Sequence, residues 1–368
     1  NFPSLASSVE VRYKGTFTNG KARKLSTMRF ELENFTAKPE AGIFKGKLVV
    51  DNFESPDIDM RLNSNFDLDF LSKFMNTPEL KGLSGQVDLT MNFRDIIDIE
   101  HPEKSIKRLN ESYFSELKIE KLKFKAEGFN VPINGIDVHA QMNGHEAKID
   151  HLKMKIGNSD INISGSISDL PAIIHHTAIP VETNLKINSR RIDIKELTTG
   201  LKGKEPVDEQ VDNLRLNLKF LSSAKSITES PNLPIGEFFI TNLYGKMKHY
   251  PHVLHDFHAD IFVEDRDFKV LDFSGMIDKS DFHFSGKLKN YNLWFDEKMQ
   301  GDTRVEFDLT SSLLQFDNLF TYGGEKFVPE DYGHEEVSNL KIHGTTDLHF
   351  NNGLKSTDFK LTELKGKL

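Results

Sequence analysis

The side chains best equipped for chemistry crowd into HYPHVLHDFH, His249–His258. Imidazoles at short spacing suit a transition metal. Pro251 argues against a helix through the run. As a strand, His252 and His258 share a face about 20 Å apart at 3.3 Å per residue, while His255 points the other way with Val253 and Phe257. Such rings do not converge on one ion without outside ligands, so the run reads as solvated or packed strand histidines, and no metal is expected. His175-His176 falls in a turn region with no partner pattern. The carboxylate groups Asp57/Asp59, Asp67/Asp69 and Glu264/Asp265/Asp267 lack the D-x-D-x-D-G spacing of a calcium loop and a positioned base. Acidic residues on polar strand faces and helix starts account for them. No glycine-rich phosphate loop, nucleophile elbow or His-Glu metal helix occurs. The chain reads as a protein without catalysis, metal or cofactor.

Composition narrows the class further. There are no cysteines among 368 residues, which excludes thiol catalysis, cysteine zinc sites and disulfides. Net charge is −9, and lysines are spread along polar faces rather than clustered, so nucleic acid is not an expected partner. Hydrophobic residues make up only 37%, yet there are 29 phenylalanines against one tryptophan. Apolar mass is therefore concentrated in large side chains. No signal peptide opens the sequence, and no apolar run approaches the roughly 18 residues of a membrane-spanning helix.

Those side chains follow a period of two. In GNSDINISGSISDL (157–170), Ile161, Ile163, Gly165 and Ile167 share one parity, and Asp160, Asn162 and Ser164 the other. DKSDFHFSGKLKNY (278–291) repeats the pattern with Phe282, Phe284, Gly286 and Leu288. A weaker copy, IFKGKLVV, carries Phe44, Gly46, Leu48 and Val50. The glycines are 119 and 121 residues apart. Ile119-Glu120-Lys121-Leu122 returns as Ile240-Thr241-Asn242-Leu243 and as Leu361-Thr362-Glu363-Leu364, at steps of 121 and 121. The segment from Asn63 has counterparts near Ser189 and Ser311. Three markers in one register imply an internal repeat. The three glycines suit either a bend or close approach of a bound chain, or a β-bulge.

The repeat units run over 1–115, 116–236 and 237–353, with 354–368 starting a fourth. DFKLTELKGKL enters that copy and stops, so the chain reads as a fragment of a longer protein. Alternating segments of 7 to 10 residues joined by short turns predict antiparallel meanders, with roughly seven strands per repeat and some twenty in all. Short helical turns are expected over Phe66–Phe74, Arg191–Leu197 and Leu314–Phe320, and a helical insertion over Asp95–Tyr113. Loops are expected over Thr198–Glu209, Ser222–Pro234 and Tyr322–Glu336. The fold class is mainly β: a long twisted antiparallel sheet curled into a groove, with short helices at its edges. Tandem sandwiches of about 120 residues are the alternative.

The strand S-D-apolar-x-apolar-S-G-x-apolar, at Ser159–Asp169 and Ser280–Asn290, together with N-S-x-F-D-L-x-x-L at Asn63–Leu71, resembles the AsmA-like proteins of Gram-negative envelopes, which are related to TamB. The resemblance spans most of the chain because the repeat does. It implies a repeating β-groove body in the periplasm, held to the inner membrane by an N-terminal helix. This sequence lacks that anchor, so membrane attachment is implied for the parent alone. It further implies a role in lipid transport and outer-membrane biogenesis, with phospholipid or another envelope lipid as partner and envelope proteins as possible further partners. A related role implied by TamB relatives is a scaffold assisting outer-membrane protein assembly.

The residues give lipid handling a physical basis. Phe and Ile on the concave side of a curled sheet would form a trough for acyl chains, with Phe44, Leu48, Val50, Ile161, Ile163, Ile167, Phe282, Phe284 and Leu288 as the expected contacts. The same side chains could instead fill a closed core, as apolar strand faces usually do. A structural or adhesive stalk of tandem β-sandwiches, extracellular or periplasmic, is then the competing function.

Overall fold

The computed structural model describes residues 10–21, 23–38, 42–69, 80–96, 114–126, 131, 133–199, 206–230, 233–294, 298–315, 321–323, 325–326, 336–351 and 353–367. The chain is mainly β and antiparallel, and divides into two compact units: residues 1–175 with 194–207, and residues 176–193 with 208–368. The first unit holds β1 (Glu10–Asn19), β2 (Met28–Lys38), β3 (Gly42–Asp51), β4 (Asp57–Asp67), β5 (Leu80–Ile96), β6 (Phe114–Ala126), β7 (Ile133–Asn143), β8 (Glu146–Ile156) and β9 (Ser159–Ile167). Each pairs antiparallel with the next in the chain, and no described ladder joins β1 to β9, so this sheet is open rather than a closed barrel. Two single-turn helices accompany it, α1 (Leu170–Ile174) and α2 (Ile194–Thr198).

The second unit repeats the plan with β10 (Pro180–Asp193), β11 (Gln210–Ser223), the helix α3 (Ala224–Glu229), β12 (Gly236–Met247), β13 (Val253–Val263), β14 (Phe268–Ile277), β15 (Ser280–Leu288) and β16 (Gln300–Gln315). The small hairpin of β17 (Thr321–Tyr322) and β18 (Glu325–Lys326) follows, then β19 (Glu336–Asn351) and β20 (Leu354–Lys367). β19 pairs with β16 and β20 with β19, so the sequential order survives the detour.

Most strands were legible from alternation, and the differences lie at their ends. β11 runs to Ser223 and α3 occupies the middle of the expected loop Ser222–Pro234, because the Ser223 hydroxyl accepts the Ser226 N–H at 3.1 Å and caps a helical turn. The helical turn expected over Arg191–Leu197 begins only at Ile194, after β10 ends. β4, β5 and β16 extend to Asp67, Ile96 and Gln315. Leu68 and Asp69 are helical, and the remainder of the helical segments expected over Phe66–Phe74, Asp95–Tyr113 and Leu314–Phe320 lies outside the described residues, as does most of the loop Tyr322–Glu336.

The recurring sequence segments have recurring structural jobs. The marker glycines lie on β3, β9 and β15, and each pairs with a residue bordering a bulge in the preceding strand: Phe35, Ile149 and Val270. The Ile-x-x-Leu segments lie on β6, β12 and β20, each with an irregular register there. Lys121 and Asn242 are their left-handed residues. Ser64, Ser189 and Ser311, on β4, β10 and β16, are all buried. Each set steps by six sheet strands, against the roughly seven per repeat read from sequence.

Side chains complete the ladder where bulges interrupt it. Lys121 donates its freed N–H to Asp137 Oδ1 at 2.9 Å. The Ser-Asp pair that opens β15 does more. Asp281 accepts the N–H groups of Ser312 and Leu313 at 2.9 and 2.7 Å, and Ser280 Oγ accepts the Gln315 N–H at 2.9 Å. Burial pushes the Asp281 carboxyl up, but the two N–H donors outweigh it and hold it below the usual carboxylate range. A depressed folded value means stability that is fully present above the ordinary value near 4 and lost as pH falls through the folded value. Asp281→Asn should therefore cost about 1–3 kcal/mol at pH 7 and flatten the acid limb of a urea-denaturation pH series below about pH 4. An unchanged acid limb would refute this role.

Candidate functional site

Residues directly opposite in a ladder share a face, so the registers trace each face across neighbouring strands. In the second unit one row reads Leu185, Leu218, Ile240, Ala259, Phe273, Phe284, Leu309, Ile342, Leu364. Nine consecutive strands contribute an apolar residue, over about 38 Å at 4.8 Å per strand. A second row lies beside it: Phe220, Phe238, Ile261, Val270, Gly286, Phe307, Gly344, Leu361. The first unit has a shorter row, Phe66, Val87, Ile119, Val138, Leu152, Ile163. One residue further along the strands of the second unit, the same construction gives Asn217, Thr241, His258, Ser274, His283, Thr310, Lys341, Lys365. These rows give the second unit one apolar face and one mainly polar face, the latter also carrying Phe239 and Phe262.

Bulges keep the faces in phase. A single extra residue would turn the rest of a strand over. In β13 the left-handed Asp256 takes up that residue, so Leu254 and Phe257 both face the apolar side. This overturns the alternation read for the histidine run: His255 shares the polar face with His258, and Phe257 stands opposite them. In β12 Asn242 performs the same correction between Ile240 and Leu243.

The aromatic rings pave the apolar face. Phe44 stacks on Phe66 at 5.2 Å, Phe220 on Phe238 at 4.9 Å and Phe284 on Phe307 at 6.2 Å, while Phe257, Phe273 and Phe282 form a triangle with 5.3–5.7 Å sides. Several rings lie across glycines. A Cβ on Gly344 would stand 2.6 Å from the Phe307 ring, and one on Gly275 2.8 Å from the Phe257 ring. At Gly46 a Cβ would collide with the Arg61 carbonyl and crowd Phe35, so close strand approach occupies that space rather than leaving it for a bound chain.

Each of the nine expected contact residues sits on the apolar face of its own unit, and all nine are half-buried. Leu48 lies between Leu32 and Met60, and Val50 between Phe30 and Ile58. Ile161, Ile163 and Ile167 face Met154, Leu152 and Ala147, and Leu288 lies between Phe268 and Val305. Fully buried apolar residues are instead scattered, with a small cluster of Leu293, Leu348 and Phe350 against Val305. Val49 is 4% exposed and belongs to the opposite parity of β3, beside Lys45 and Lys47. The nine residues recovered from sequence are a fraction of the face. Leu185, Leu218, Ile240, Leu309 and Ile342 were missed because their strands carry no glycine marker. Plain alternation was the available signal at Leu185, Leu218, Leu309 and Ile342, each with an apolar residue two away, and at Ile240 it was an Asn between apolar residues three apart.

The polar face is a lattice of cross-strand charges. His139 lies 2.9 Å from Glu116 and 3.2 Å from Asp150, His343 2.8 Å from Asp308, and His349 2.7 Å from Asp302. Exposed pairs of this kind contribute about 0–1 kcal/mol each. Within the histidine run, His249 meets Asp208, His252 meets Asp278, and His255 meets both Asp256 and the Asp278 carbonyl, which raises its pKa. Burial, with the Asp278 charge, pushes Tyr250 up to about 12. Among the described residues no three His, Asp or Glu side chains gather as a metal site would require. No helix among them is long and apolar enough to cross a membrane.

Comparison with family models, with curated proteins and with solved structures finds no match for this chain.

A half-covered apolar face should take up an environment-sensitive hydrophobic dye in the native state. Phe284→Asp should reduce that fluorescence several-fold while far-UV circular dichroism is retained. A native protein that leaves the dye dark would show the face to be covered.

Proposed function

We propose that the apolar face of each unit shields the acyl chains of phospholipid or another envelope lipid, and that the protein serves lipid transfer and outer-membrane lipid homeostasis in the periplasm. The observation that carries the reading is the row from Leu185 to Leu364: nine strands, one face, apolar throughout and mostly half-buried. A sandwich would drive such residues below a few per cent exposure, because each inner face is sealed by the other. The reading takes the three marker sets as copies of a six-strand repeat. It agrees with the resemblance of Ser159–Asp169 and Ser280–Asn290 to AsmA-like proteins.

The energetics need no reacting group. Burying a methylene is worth about 0.8 kcal/mol, so exposing a chain of ~16 carbons to water costs on the order of 10 kcal/mol. A surface whose successive rows are all apolar replaces one contact with an equivalent one and removes that barrier. The polar head stays in solvent at the margin.

Purified protein should carry phospholipid detectable by mass spectrometry after organic extraction. Ile163→Asp with Phe284→Asp should remove most of it. A folded double variant that retains its full lipid complement would sink the proposal.

A further inference from the structure

Two turns of the first unit are fused into one tip. One joins β1 to β2 and the other joins β3 to β4. The Phe53 N–H donates to the Leu25 carbonyl at 3.0 Å and the Asn52 N–H to the Met28 carbonyl at 2.9 Å, so each turn holds the other. Within the first turn, the Arg23 N–H donates to the Gly20 carbonyl at 2.9 Å and the Thr27 hydroxyl to Asn19 Oδ1 at 2.7 Å. Gly20 has no room for a side chain, since a Cβ there would stand 2.9 Å from that of Thr27.

This scaffold holds apolar side chains out in water. Leu25 is 56% exposed and Phe53 39%, and the Phe53 ring meets Phe17 at 6.5 Å. Other turns of the chain are polar: Gly157-Asn158 between β8 and β9, Glu264-Asp265-Arg266-Asp267 between β13 and β14, Asp278-Lys279 between β14 and β15. Behind the tip, Phe17 lies opposite Phe30, Phe30 opposite Val50 and Val50 opposite Ile58. The tip is thus continuous with the apolar face of its unit.

Its charge is opposite to that of the chain. Lys21, Arg23 and Lys24 are all exposed, and their turn holds no carboxylate, in a protein of net charge −9. In the neighbouring turn Arg29 holds Asp51, Asp57 at the head of β4 is half-buried, and Glu54 is the exposed acid. Cations beside protruding Leu and Phe suit a lipid interface, where apolar groups enter the headgroup boundary and cations meet anionic heads. A protein partner would need a shaped pocket for Leu25 and Phe53, whereas a bilayer accepts them without one.

We infer that this tip docks the protein on the surface of an anionic phospholipid bilayer. Leu25 and Phe53 enter the headgroup boundary, Lys21, Arg23 and Lys24 meet the lipid phosphates, and an acyl chain leaving the bilayer reaches Phe17 and Phe30 first. The last step rests on the reading of the apolar face given above; the docking itself does not.

The full chain is floated with vesicles of phosphatidylcholine alone and with vesicles that also contain phosphatidylglycerol. Binding is expected to the anionic vesicles, several-fold weaker to the neutral ones, and weakened by salt. Lys21→Glu, Arg23→Glu and Lys24→Glu together should weaken it by roughly a hundredfold. Leu25→Ser with Phe53→Ser should weaken it about tenfold, with circular dichroism unchanged because both side chains are exposed. Phospholipid extracted from either purified variant should stay at the level of the unmodified protein. A protein that carries no lipid yet floats through this tip would sink the proposed function and leave the docking site standing. Equal binding to both vesicles, no binding, flotation that ignores either variant, or capture of a polyglutamate peptide in place of vesicles would each overturn the inference.

Discussion

Everything in this molecule depends on parity. A strand sends successive side chains to opposite faces, and an unpaired extra residue would exchange the two faces from that point onward. In the second unit an apolar row and a polar row run side by side along the ladder, and the first unit holds a shorter apolar row, although the ladders of both are interrupted many times. Left-handed Asn34, Lys121, Asn213, Asn242, Asp256 and Asn339 lie at or beside such interruptions. Asn and Asp tolerate that conformation better than other side chains. Each bulge also bends its strand and deepens the local twist.

Much of this was written plainly in the sequence. Ile161-x-Ile163 and Phe282-x-Phe284 gave the strand period and the apolar side directly, because no bulge falls within either pair. The histidine run was misread for the opposite reason. Asp256 looks like any polar residue, and nothing in HVLHDFH announces that its backbone turns left-handed. The helical turns α1 and α3 were not expected at all, because Asp169 and Ser223 cap them through single side-chain hydrogen bonds, a local choice that alternation does not reveal. The apolar face was legible as a pattern on three strands but not as a surface. A row such as Leu185 to Leu364 exists only through register, and register is fixed by pairing partners that lie tens of residues away.

The marker glycines show how one residue type can carry a different meaning from the one its spacing suggests. Their recurrence first suggests access to the backbone. In the structure they accompany bulges, and at Gly46, as at Gly275 and Gly344, neighbouring rings or carbonyls take the space a side chain would have filled. The apolar face is smooth because small and large residues alternate across it, as packing without voids requires.

Within each unit, consecutive strands of the chain hydrogen-bond to one another, the two-stranded detour of β17 and β18 excepted. That pairing has a kinetic meaning. No contact of the ladder has to wait for a distant segment to arrive, so the entropy of closing large loops is avoided and hairpins can add one at a time to a growing template. Such a chain is suited to acquiring structure in the order in which it is synthesised, with every new strand finding its neighbour already in place.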